Sequence, residues 1–183
     1  MRKNNRFLLK FNNQSAESLK FLYKEKFLKE IGEVYELFNN TRVIEVFFLD
    51  NHKEAAKLLG HVNIEKWIKG FTIDDTIYIL KYTKKFYLSI NEFYNVCLHE
   101  IVHALFYRKI HYDYPLWINE GLALILSNQY KSINYKIFLN FNSDLYVYED
   151  YYYEKCCAKM IKYISRYGKK DFVNKLIMND IKL

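Results

Sequence analysis

Two imidazoles and a carboxylate crowd one helical turn in the segment Leu98-His99-Glu100-Ile101-Val102-His103. His99 and His103 stand at i and i+4, so on a helix both rings leave one face and can converge on a single metal ion. Glu100 projects about 100° further round the axis, beside such an ion rather than onto it. That is where a general base belongs for a water activated by the ion. The chemistry this spacing offers is metal-assisted hydrolysis.

Two histidines need a third ligand, and three candidates follow. His111, Asp113 and Glu120 lie eight, ten and seventeen residues after His103. No glycine lies between His103 and His111 to turn the chain back to the metal, and no turn or motif recommends Asp113. Glu120 sits in Pro115-Leu116-Trp117-Ile118-Asn119-Glu120-Gly121-Leu122-Ala123, one turn into a helix that Pro115 helps to begin. From there it completes a His2Glu set and leaves the fourth position to water. Glu120 is the preferred third ligand.

The elements that must position these groups follow from periodicity. Apolar side chains recur at helical spacing over residues 16–38, with Ser15 as N-cap and Asn39-Asn40 as the stop. Residues 42–49 are β-branched and aromatic and read as a strand, Asp50-Asn51 as a turn, and 52–59 as a short helix closed by Gly60. Strands are expected at 76–80 and 86–90. Helices are expected at about 91–108, 116–129, 150–166 and 169–179, with Gly168 capping the third of these. Strands early and helices late indicate α+β, with an αβ part over about 1–110 and a helical part over about 111–183.

The chain has 183 residues, a hydrophobic fraction of 51% and a single Pro, which suits one domain with a proper core. Its net charge of +7 sits at the ends. Residues 1–30 carry eight Lys/Arg against three Glu, and residues 155–183 carry eight against two Asp. The middle, which holds the metal motif, is net acidic, whereas a nucleic-acid binder gathers positive charge around its functional groups. Cys97, Cys156 and Cys157 are odd in number and badly spaced for disulfides. The basic start is followed by too short an apolar run for a signal peptide, and no run approaches the ~20 residues of a membrane span. The expectation is a reduced, cytoplasmic protein, monomeric, with neither nucleic acid nor membrane as partner.

His99-Glu100-x-x-His103 followed by Trp117-x-Asn119-Glu120-Gly121-x-Ala123 resembles the gluzincin clan of zinc metallopeptidases, its small peptidase-MA-like members above all. Upstream, strand 42–49, Asp50, a short helix, Trp67-Ile68-Lys69-Gly70-Phe71 and strand 76–80 follow in the order those domains use, so the likeness covers about residues 40–170. The resemblance implies a zincin-like fold, a small twisted mixed sheet with an active-site helix beneath it and a C-terminal helical part. It implies Zn2+ on His99, His103 and Glu120, with Glu100 as general base in hydrolysis of a peptide or protein substrate. That substrate would be held as an added strand along the sheet edge, for which residues 76–80 are the candidate. In similar proteins a Tyr on the helix after the glutamate helix stabilises the oxyanion. Tyr151, Tyr152 and Tyr153 all lie at about the distance this implies; Tyr153 is the preferred candidate, with Tyr152 as the alternative. The exopeptidase motif Gly-x-Met-Glu-Asn of the aminopeptidase branch is missing, which points to an endopeptidase. Leu124 stands where some relatives carry an acidic residue that orients a ligand histidine, so that support must come from elsewhere.

A rival reading is a non-catalytic or regulatory binding domain with a structural metal closed by Cys97. Cys97 and His99 lie about 200° apart round the helix, so both cannot easily face one ion.

Overall fold

The computed structural model describes residues 9–12, 15–141, 145 and 150–181; the basic start at 1–8 lies outside them. Among the described residues the chain forms a four-stranded mixed sheet and seven α-helices. Strands β1 (Leu9–Asn12), β2 (Ile44–Leu49), β3 (Gly70–Ile73) and β4 (Thr76–Leu80) lie in the order β1-β2-β4-β3. β1, β2 and β4 run parallel, and β3 returns antiparallel on β4 through a two-residue turn at Asp74-Asp75, with Asp74 left-handed at φ 55°.

The helices are α1 (Ala16–Leu22), α2 (Glu25–Leu37), α3 (His52–Leu58), α4 (Ile90–Lys109), α5 (Leu116–Leu126), α6 (Tyr152–Tyr167) and α7 (Lys169–Ile177). The caps read from sequence hold: Ser15 Oγ accepts the Ser18 N–H, and the chain leaves α3 through Gly60 at φ 71°. Gly168, at φ 77°, separates α6 from α7. Among the described residues no helix is long and apolar enough to cross a membrane.

Three expectations are corrected, and two strands are added. Residues 16–38 form two helices, because Lys24 is extended at ψ 139° and starts α2 anew; the break lets Leu22 and Phe27 both reach the core. Residues 86–90 are not a strand. Tyr87 is buried and its hydroxyl donates to the Leu80 carbonyl at 2.7 Å, while Ser89 becomes the N-cap of α4. Strands β1 and β3 were not expected, being four residues each and too short for an alternation to register. Finally, β4 is not the edge. It lies between β2 and β3 with Ile77, Ile79 and Leu80 buried, so among the described residues the edge on this side is β3.

α4 is the element everything else serves. Its first turn is closed by Ser89 Oγ, which accepts the Glu92 N–H at 3.1 Å, while the Glu92 carboxylate reaches back past the cap to accept the Leu88 N–H at 2.6 Å. It is apolar almost all round, with Phe93, Leu98, Ile101, Val102 and Leu105 buried between the sheet and the other helices. Such a helix is a core element, and polar groups on it must be satisfied inside the protein.

α5 is buried along nearly its whole length and packs on α6 at Gly121. A Cβ at Gly121 would stand 2.7 Å from the Cys156 carbonyl oxygen and 2.9 Å from Met160 Cβ. Gly121→Ala is therefore expected to destabilise by about 1–3 kcal/mol through overpacking. It would be read as a lower denaturant midpoint at unchanged slope. On a helix with space the same change stabilises by up to about 1 kcal/mol, so the sign alone tests the close approach.

Candidate metal centre

α4 and α5 meet at the three groups singled out by spacing. His99 Nε2 and His103 Nε2 lie 2.9 Å apart, and the Glu120 carboxylate reaches each of them at 3.7 Å, one oxygen apiece. One ligand atom from each residue falls within 4.8 Å of the others, as three ligands of one ion must. His111 and Asp113 are exposed and outside this group; Cys97 is outside it too, but buried in the core with its thiol pushed well up by burial.

The surroundings suit a cation. Asn119, one residue before Glu120, is buried, and its Oδ1 lies 2.9 Å from His103 Nδ1. With the amide oxygen accepting, Nδ1 carries the proton and Nε2 keeps its lone pair for a metal. Burial, reinforced by neighbouring His103, holds the His99 pKa well below the usual imidazole range, so His99 is a neutral donor; the Gln129 side chain opposes this. His99 Nδ1 is a buried atom without a hydrogen-bond partner among the described residues. Burial also raises the Glu120 carboxyl against the pull of His103. Two imidazole nitrogens and a desolvated carboxylate that converge in this way fit a divalent ion with N and O ligands.

Asn119→Ala removes the acceptor that fixes the His103 tautomer. Metal affinity is expected to fall about 10–100-fold, measured by competition with a chromogenic chelator.

Glu100 is 5% exposed and is not one of the converging groups. Burial raises its carboxyl to about 7, opposed by His103 and by a hydrogen bond from Thr72, whose Oγ1 lies 2.9 Å from Glu100 Oε2. A cleft of about 750 Å³ opens beside it, with His99 and Glu100 on its floor. Trp67, Leu88, Val96, Leu124 and Ile133 give its walls an apolar character. Leu124, which cannot orient a histidine, is thus a wall of this cleft.

Tyr153 lines the same cleft, its ring edge-on to Trp67 at 6.2 Å. Tyr152 is buried, its hydroxyl engaged with Cys156 and its pKa raised by burial. Tyr151 precedes α6 in a left-handed conformation and is exposed.

Asn119, Thr72, Gln129 and Tyr107 carry roles that spacing did not suggest. Tyr107, one turn after His103, has its phenol raised by burial and by Glu120, with Asn119 opposing. Only Asn119 left a signal in the sequence, as the neighbour of a ligand. No family profile, curated protein or solved structure matches the chain.

Proposed function

We propose that this chain is a zinc-dependent peptidase of the gluzincin type, with a zincin-like fold and endopeptidase activity. The observation that carries the reading is the convergence of His99 Nε2, His103 Nε2 and the Glu120 carboxylate within 4.8 Å, beside a buried carboxylate that is not among them. The chemistry such an ion supplies is ionisation of a water near neutral pH and polarisation of a peptide carbonyl.

The chain's own residues do the rest. Glu100 takes the proton of the attacking water and hands it to the leaving amine, a task suited to a carboxyl that burial brings to about 7. Asn119 holds His103 in the tautomer that leaves Nε2 free. Tyr153 stands at the wall of the cleft as the donor to the developing oxyanion. The apolar walls favour a substrate with a bulky apolar side chain next to the scissile bond.

Metal analysis of protein purified without chelator tests the site, and cleavage of a broad peptide library tests the activity. About one zinc per chain is expected. His99→Ala and His103→Ala should each lose most of it while largely keeping the fold, since α4 has its own apolar surface to bury. Stoichiometric zinc in both variants would sink the ligand assignment. Zinc-loaded protein that cleaves no peptide would turn the reading to a binding domain.

A further inference from the structure

The carboxylate of Glu100 is boxed by two residues of the edge strand. A Cβ at Gly70 would stand 2.9 Å from Glu100 Cγ and 3.2 Å from Oε1, so only a bare backbone fits there. Two residues on, Thr72 Oγ1 lies 2.9 Å from Oε2 and 3.2 Å from the Glu100 carbonyl oxygen. A hydroxyl has one proton, and the shorter contact, to an oxygen that carries charge when ionised, receives it. One oxygen of the carboxylate is thus held by Thr72, and the other lies against Gly70.

The same two residues have a second orientation, set by the ladder. The Leu80 N–H donates to the Lys69 carbonyl at 2.9 Å, and the register pairs Gly70 with Ile79 and Thr72 with Ile77. Antiparallel pairs alternate, so Lys69, Phe71 and Ile73 bond to β4, while Gly70 and Thr72 turn their N–H and C=O groups out from the sheet. β3 is an edge, and Lys69 and Gly70 line the cleft that holds His99 and Glu100.

We propose that Gly70 and Thr72 couple the strand addition already expected of a peptidase of this type to the aim of the Glu100 carboxylate: the peptide pairs with their outward backbone groups, and the Thr72 hydroxyl sets the rotation of the carboxylate. This rests on the peptidase reading above. Thr72 is a positioning residue. A strand laid on β3 immobilises its backbone at Gly70 and Thr72, and with it the hydroxyl and the Glu100 oxygens. Backbone contacts remote from the reacting carbonyl then raise turnover rather than affinity alone.

The test compares wild type, Thr72→Val and Thr72→Ser on a cleaved peptide and on its analogue N-methylated at the amides flanking the scissile bond. Val keeps the shape and strand preference of Thr and lacks the hydroxyl. In Thr72→Val, kcat should fall about 10–100-fold, the scale of one hydrogen bond to an ionised group. KM should move by less than about twofold, zinc content should stay unchanged, and Thr72→Ser should restore turnover. N-methylation should lower kcat about tenfold in wild type and add little in Thr72→Val, because both changes break one coupling. A rise in KM alone, or fully additive losses, would overturn the proposal.

A second readout needs no turnover. In protein labelled with 13C at the Glu carboxyls, the Glu100 resonance is the one lost in Glu100→Gln. In metal-free protein at alkaline pH it should be displaced in Thr72→Val and restored in Thr72→Ser, and the parent peptide should shift it in wild type only. A resonance indifferent to Val overturns the positioning role, and one indifferent to every peptide overturns the coupling. If the wild type cleaves nothing, the peptidase reading falls while these spectra still decide whether Thr72 aims Glu100.

Discussion

Glu100→Gln is expected to keep the zinc and to lose about 10²–10⁴-fold in peptide hydrolysis, the usual worth of a positioned acid–base group. The structure makes this substitution clean. Glutamine has the same length, so it fits against Gly70, and its amide oxygen can still accept from Thr72 Oγ1. What it cannot do is take up and return a proton. Because Glu100 is not among the three converging groups, zinc content measured beside activity separates the roles. If zinc fell in step with turnover, Glu100 would be a ligand and the proposed proton transfer would be wrong.

The second large effect concerns the oxyanion. Tyr153→Phe removes one oxygen and almost no volume, and the ring keeps its edge contact with Trp67. Turnover is expected to fall about 10²–10³-fold with little change in KM, the signature of an interaction made in the transition state. Zinc content and thermal stability should barely move, since Tyr153 is 38% exposed. Tyr152→Phe should behave differently. Its hydroxyl is buried and engaged with Cys156, so its loss should register in stability before turnover. Unchanged kinetics in Tyr153→Phe would direct attention to Tyr107, whose phenol feels the charge of Glu120.

Residues on one helix were the most legible from sequence. His99 and His103 share a face of α4 because a helix repeats every 3.6 residues, and the structure sets their Nε2 atoms 2.9 Å apart. Glu120 could be placed because Pro115 marks where α5 starts and Glu120 falls one turn in. The opposite holds for the groups around Glu100. Thr72 and Gly70 meet it from a four-residue strand, too short to announce itself, and 28 residues away in sequence from the carboxylate that Thr72 binds. The edge of the sheet was misassigned for a related reason. Residues 76–80 have the stronger strand composition, which announces a strand but not its neighbours; the pairing partner at β3 is a tertiary outcome. Tyr87 and Ser89 defeated the strand expected at 86–90, one by anchoring into the core and the other by capping α4. Both are tertiary outcomes that local propensity does not contain.

The shortness of β3 bears on solubility. A free sheet edge is a template for any extended chain, including another copy of the same protein, and long, flat, apolar edges lead to aggregates. Here the template is four residues long, begins with a glycine, and is flanked by charge at Lys69 and at the left-handed Asp74. A stray strand finds few backbone partners before it meets a charge or a turn. An edge that weak can meet water without seeding its own fibre.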